Sequence, residues 1–252
     1  MKSAYEMTLT KVPEVTLLFW VIKIAATTLG ETGGDAVSMS MNLGYLWGTA
    51  IFAGVFLIAV AVQIQAKGFH PWIYWTTIIA TTTVGTTLAD FADRSLGIGY
   101  AGGSTLLLLL LISSLALWHR TLGSVSVTSI SSPRAEIFYW VTILFSQTLG
   151  TALGDWTADS AGLGYEGGAL VFGSMLAVLV LAYYKTRISR TWLFWLAFIL
   201  TRPLGAVLGD LLDKPLADGG LALSRYSATV ALVVFIAACL LLFQHRASEK
   251  AH

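Results

Sequence analysis

Four times the chain reads aromatic-Trp, nine residues, Gly, four residues, Asp: Trp20/Gly30/Asp35, Trp75/Gly85/Asp90, Trp140/Gly150/Asp155 and Trp195/Gly205/Asp210. Each copy sits in a stretch apolar enough to cross a bilayer, and Glu31 adds a fifth acid beside the first Gly. Carboxylates in such surroundings are costly and are kept for ion paths, proton relays or counter-ions. Their chemistry is that of hard oxygen ligands.

The acids continue a polar stripe. In steps of four, which hold one helical face, the segments read Lys23, Thr27, Glu31, Asp35; Ile78, Thr82, Thr86, Asp90; Ile143, Gln147, Thr151, Asp155; and Phe198, Arg202, Ala206, Asp210. Three copies add a neighbouring hydroxyl (Thr28, Thr83, Thr148) where the fourth has Pro203. Lipid cannot satisfy such a stripe, so each must face protein or water. Glu31, Asp35, Asp90, Asp155 and Asp210 are therefore the candidate cation-binding or transport residues and candidate metal ligands. Thr27, Thr82, Thr86, Gln147, Thr151 and Arg202 form the supporting polar stripe. This donor set suits Mn²⁺, Mg²⁺, Ca²⁺, Na⁺ or a proton; no cofactor beyond such a bound cation is implied.

With each Trp in a cytoplasmic aromatic belt, a rise of ~1.5 Å per residue puts Glu31 near the middle of a ~30 Å hydrocarbon core and the aspartates roughly 22 Å in. At that depth the aspartates are either ion ligands or hydrogen-bonders that tie hairpin amides together. Arg202 lies deep enough to pair with Glu31 or an Asp, whereas Lys23 is shallow enough to snorkel to the interface. Asp93, Asp159 and Asp213, with Arg94 and Lys214 adjacent, read as loop ion pairs. His70, His119, His245 and His252 fall at helix ends or in the tail, away from the stripe, which disfavours haem, zinc and a Ser-His-Asp site. The single Cys239 rules out a disulfide framework, and no catalytic residue is assigned.

The elements that must position these groups follow from composition. The chain is 56% hydrophobic and 12% charged, against roughly 25% charged in a soluble domain, and its mean hydropathy is +0.75. Apolar runs at 15–29, 46–64, 73–88, 106–117, 137–153, 170–183, 192–208 and 228–243 each extend to the ~20 residues of a spanning helix. The expected fold is an all-α integral membrane protein of eight transmembrane helices, a single transmembrane domain over 1–252.

Trp-to-Trp spacings of 55, 65 and 55 residues divide it into four helical hairpins, 14–66, 71–120, 135–186 and 191–246, with the halves joined near 121–133 by a Ser-rich connection. An even number of spans per unit makes the repeats parallel, with pseudo-symmetry about the membrane normal. Gly44, Gly99, Gly164 and Gly219 follow the aspartates by nine residues, and in three units Tyr comes next, then Gly48, Gly103 or Gly168. Small residues spaced four apart read as helix packing.

Ten of the fifteen Lys and Arg, among them Lys2, Lys67, Arg120, Arg187 and Lys250, lie at the termini or after even-numbered spans. Both termini are thus expected in the cytoplasm, opposite an acidic outer face. Residues 1–13, which include Glu6, carry no small-residue cleavage signal before the first span, so that span is expected to remain.

The fourfold hairpin repeat, with Gly30-Glu31-Thr32-Gly33-Gly34-Asp35 and Gly150-Thr151-Ala152-Leu153-Gly154-Asp155, resembles a bacterial family of multi-pass membrane proteins built from tandem two-helix repeats of unknown function. The resemblance implies eight spans and a bacterial inner-membrane location, and assigns no substrate or residue role. Arg202, Pro203 and Ala206 set the fourth copy apart from it.

The leading expectation is a transporter or exporter of a small cation through a carboxylate-lined path, and not an enzyme. Its partners are the lipid bilayer and the cation, with no nucleic acid; an oligomer is left open. The alternatives are a non-catalytic membrane scaffold or sensor, in which the stripes only lock hairpins together, and an intramembrane carboxylate enzyme using Asp90 with Asp93 and Asp210 with Asp213.

Overall fold

The computed structural model describes residues 11–127, 130 and 132–248. Lys2, Glu6, Lys250 and His252, and residues 128, 129 and 131 of the Ser-rich connection, lie outside the described residues. Eight long helices follow one another: α1 (Leu17–Asp35), α2 (Gly44–Gln65), α3 (Pro71–Asp90), α4 (Gly99–Leu122), α5 (Pro133–Asp155), α6 (Gly164–Lys185), α7 (Arg190–Asp213) and α8 (Arg225–Leu242). Among the described residues the only β pairing is an isolated antiparallel bridge between Pro13 and Ala247.

Local chemistry sets the helix ends. The Thr16 hydroxyl accepts from Phe19 N–H and Ser132 from Ala135 N–H, while Pro71 and Pro133 take first-turn positions that need no N–H. α1, α3 and α5 run straight from their Asp into one π-helical turn, at 36–40, 91–95 and 156–160. α7 instead stops at Asp213, with Pro215 and a short 3₁₀ turn following, since proline has no N–H to continue the ladder.

α1, α3, α5 and α7 form a closed ring, each packed against two others of the set. Outside it α2 lies on α3, α4 on α5, α6 on α7 and α8 on α1. Each hairpin's second helix therefore leans on the next hairpin's first, and the last closes onto the first. The outer helices turn large apolar side chains outward: Leu57, Leu109, Leu170 and Leu241 are all mostly exposed. Six helices, α2 and α4 to α8, are long and apolar enough to cross a membrane. α1 and α3 differ because Lys23, Glu31 and Asp35 in one, and seven threonines in the other, lower their hydropathy, and most of these polar groups are buried inside the ring.

Three features depart from expectation. Trp75, Trp140 and Trp195 are not in a lipid-facing belt but inside the ring, almost inaccessible. With the aromatic residue preceding each, they form a collar: Phe19–Trp75 centroids are 5.4 Å apart, Tyr74–Trp140 5.8 Å and Tyr139–Trp195 6.3 Å, and the Tyr74 and Tyr139 hydroxyls share a 2.7 Å hydrogen bond. Edge-on and tilted aromatic contacts reward this closure beyond the area buried. Lys23 does not snorkel; it is fully buried, its ammonium 3.4 Å from Thr201 Oγ1 and 4.2 Å from the Phe198 ring centre. Finally, Gly44, Gly99 and Gly164 do not pack. They adopt φ of +75°, +74° and +65° with nothing near a would-be Cβ, so they serve the left-handed turn into the outer helix. Packing falls to Gly48, Gly103 and Gly168, which meet Ser38, Asp93 and Val207.

Candidate functional site

Glycines bring the inner helices close enough for their stripes to meet. Gly30 of α1 receives Thr82 of α3, Gly85 receives Gln147 of α5, Gly150 receives Arg202 of α7, and Gly205 receives Thr27 of α1. The circuit is complete, and a Cβ at Gly30, Gly150 or Gly205 would collide with the inserted side chain. One turn further along, Gly34 abuts Thr86, Gly154 abuts Ala206 and Gly209 abuts Glu31. The expected stripe residues thus lie at the helix contacts of the ring.

Arg202 occupies the centre of this arrangement. Its Nη2 donates to Glu31 Oε2 at 2.9 Å, to Thr86 Oγ1 at 2.6 Å and to Thr151 Oγ1, so one guanidinium of α7 touches α1, α3 and α5. Glu31 and Arg202 are both buried. The Thr27 hydroxyl is used differently: it bonds the carbonyls of Lys23, Ile24 and, across the helix contact, Thr201. Arg202 Nε and Nη1, the Thr82 hydroxyl and both polar atoms of the Gln147 amide have no hydrogen-bond partner among the described residues.

The aspartates lie at the opposite end of the ring from the aromatic collar, tied in pairs by two basic residues. Lys214 Nζ is 2.8 Å from Asp35 Oδ2 and 2.9 Å from Asp210 Oδ1, while Arg94 reaches Asp90 at 2.9 Å and Asp155 at 3.5 Å. Burial opposes the charge on Lys214, but Asp210, Asp35 and Asp213 together hold its pKa above the ordinary lysine value. Arg225 adds contacts to Asp213 at 3.0 Å and Asp35 at 3.7 Å.

Adjacency in sequence leads one to expect Arg94 and Lys214 in loop pairs with Asp93 and Asp213. The structure corrects that expectation: both bind the repeat aspartates. The signal was available, since each base follows its own Asp by four residues, one helical turn. Asp93 instead packs against Gly103, Asp159 accepts from Tyr100 at 3.3 Å, and Asp213 pairs with Arg225.

Of the five candidate acids the structure brings three together. Glu31, Asp35 and Asp210 each offer an oxygen, all within 4.8 Å of one another and all buried. Asp90 and Asp155 are not part of that triad and are bridged to each other by Arg94. Three carboxylates from α1 and α7 offer oxygens of the kind hard cations take; Lys214 bridges Asp35 and Asp210, and Arg202 pairs with Glu31.

The repeat is also what comparison with known proteins detects. A family model described as a Repeat of Unknown Function, DUF347, matches residues 18–69, 73–124, 138–189 and 193–248. The chain belongs to the DUF347 family. No curated protein and no solved structure matches it. Each DUF347 match contains one Trp–Gly–Asp register and thus one inner helix with the outer helix that follows. The unit is one strut of the ring plus the brace for its neighbour.

Proposed function

We propose that this DUF347 protein is an eight-span membrane protein of the bacterial inner membrane, with both termini cytoplasmic. Its four parallel hairpins surround an axis along the membrane normal, and it transports a small hard cation along the interior of the inner ring. The observation that carries the reading is the triad: Glu31, Asp35 and Asp210 present buried oxygens within 4.8 Å of one another. The Thr86 hydroxyl lies 3.4 Å from Glu31 Oε2 as a neutral oxygen beside the triad, and the π-helical turn after Asp35 departs from regular helix at the site, a feature common at functional positions. Lys214 and Arg202 act as tethered surrogate cations, and an incoming ion competes with the lysine for Asp35 and Asp210. Asp90 and Asp155, bridged by Arg94, would form a second station on the same face.

The test is flux. In vesicles reconstituted with the purified protein, Glu31→Gln and Asp155→Asn are expected to abolish uptake of the transported ion, screened across Mn²⁺, Mg²⁺, Ca²⁺, Na⁺ and H⁺, with the fold of each variant checked by its melting transition because Glu31→Gln also leaves Arg202 without its partner. Unaltered flux in both variants overturns the proposal.

A second reading is favoured by one specific observation: each repeat aspartate already has an internal base within 3.5 Å. On that reading the protein is a scaffold or sensor whose polar groups lock the hairpins. Melting separates the two, because a ligand that binds only the folded state raises its stability, whereas a scaffold without a site gains nothing from any of the ions.

A further inference from the structure

A crevice of about 370 Å³ opens on the outer surface between α1, α6 and α7, lined by Trp20, Ile24, Leu176, Val180, Phe194 and Ala197 among others. That volume is within the ~300–1,000 Å³ of small-molecule sites. Its floor reaches Thr201, the residue whose hydroxyl meets buried Lys23, and its rim carries Thr16, Tyr184 and Arg190.

The corresponding seam elsewhere is filled by protein. Trp118 of α4 and Tyr183 of α6 hold the same register, each 18 residues beyond the tyrosine near the start of its helix, Tyr100 or Tyr165. Trp118 is completely buried, stacked on Phe138 and set edge-on to Trp195 at 5.8 Å. Tyr183 stays 43% exposed and turns toward the connection after its helix, where the Arg190 guanidinium lies 4.1 Å from its ring centre and also donates to its carbonyl. The aromatic that seals one seam is thus drawn aside at the other, and Trp20, beside that crevice, is the least buried of the four repeat tryptophans.

Charge selects the occupant. Arg190 is the one charged residue among those lining the crevice; Lys185 and Arg187 stand in the same α6–α7 connection, against a single nearby acid in sequence, Glu14, just before Val15. An apolar slot on a lipid-facing surface, with Arg190 at a rim that also carries Tyr183 and Tyr184 and two further cations in the connection that Arg190 closes, matches an acyl chain below an anionic phosphate. We propose that this crevice is a binding site for one anionic phospholipid, its chain along Trp20, Phe194 and Ala197 and its phosphate at Arg187 and Arg190. The inference rests on the membrane reading above, but not on cation transport.

Fractionation of the expressing cells tests the membrane reading by itself: the full-length protein must pellet with membranes and resist extraction by salt and alkali. For the lipid site, the detergent-purified, delipidated protein is titrated with phosphatidylglycerol or phosphatidylcholine of identical chains, and adducts are counted by native mass spectrometry. The first phosphatidylglycerol is expected to bind about tenfold more tightly than phosphatidylcholine, which corresponds to roughly 1.4 kcal/mol. Arg187→Gln/Arg190→Gln should erase that preference while leaving chain binding. Ala197→Trp, which fills the slot, should remove the first tight adduct for both lipids without lowering the melting temperature. Equal retention of the two headgroups, an unchanged adduct in Ala197→Trp, or a dimer that this variant dissociates would each overturn the proposal, the last by showing a second copy in the crevice.

Discussion

Glu31 and Arg202, 171 residues apart in the chain, meet at 2.9 Å in the interior of the helix ring, and the same Arg202 nitrogen also holds Thr86 and Thr151. One side chain therefore clasps all four inner helices. A buried ion pair is costly to break from one side, because the remaining charge loses its compensation.

Removing Arg202 alone should cost more than removing the pair. Arg202→Met is expected to lose about 3–5 kcal/mol, and Arg202→Met/Glu31→Gln to recover much of that loss. Unfolding in detergent, followed for wild type, both single variants and the double, gives the coupling. Additive losses would show that the two residues act independently.

The ring glycines give a sharper contrast. Gly150→Ala and Gly205→Ala place a methyl against Arg202 and Thr27, and overpacking of that kind costs roughly 1–3 kcal/mol. Gly33, in the inner helix α1, has only Thr229 Cγ2 near its would-be Cβ, at 3.9 Å; Gly33→Ala should be neutral or gain up to about 1 kcal/mol from helix propensity. Melting temperatures of the three variants, measured side by side, decide it.

Lys214 links stability to both alkali and metal. Its folded pKa is raised above the ordinary value by Asp210, Asp35 and Asp213, against the opposing effect of burial. A raised lysine contributes stability that is fully present below its unfolded pKa of about 10.4 and fades only as pH climbs beyond it. The melting temperature should therefore lose a component above about pH 10 in wild type that Lys214→Met lacks throughout. Lys214→Met also uncovers Asp35 and Asp210. A divalent ion at about a hundred times its dissociation constant should then restore about 2.7 kcal/mol, a shift read from melts with and without Mn²⁺ or Ca²⁺.

Lys23 is buried with no carboxylate in ion-pair reach among the described residues. Lys23→Met keeps the volume and removes an amine held mainly by one hydroxyl and an aromatic face. The variant should be more stable than wild type by about 1 kcal/mol, a rise visible in thermal unfolding; destabilisation would mean that the ammonium contributes more than its two contacts account for.

Much of this was legible in the sequence because the repeat is written in residue types whose physics is local. Steps of four predicted which residues line the ring interior, and Thr27, Thr82, Gln147 and Arg202 do lie on one layer, each against a glycine of the adjacent inner helix. Pairing was less legible. Depth alone allows Arg202 either Glu31 or an Asp, and adjacency suggests loop pairs for Arg94 and Lys214 although each sits one turn past its Asp. What spacing could not supply was which helices adjoin: Lys214 reaches Asp35 only because α7 lies beside α1. The tryptophans misled for a related reason. Aromatic residues near a span's end suit a lipid interface and a closed aromatic collar equally well, and only the ring distinguishes them.

The antiparallel bridge at Pro13 and Ala247, with α8 resting on α1, makes the first and last described segments neighbours in a closed circle of hairpins. Sequence order is then only one of several ways to read the same circle. A circular permutant joined from 247 to 13 and opened in the 123–132 connection keeps every helix contact, and its fold should survive. A chain shortened by one hairpin cannot: it leaves an inner helix without its brace and exposes threonines and carboxylates to hydrocarbon. The number of repeats is thus fixed by closure, whereas their order of synthesis is not.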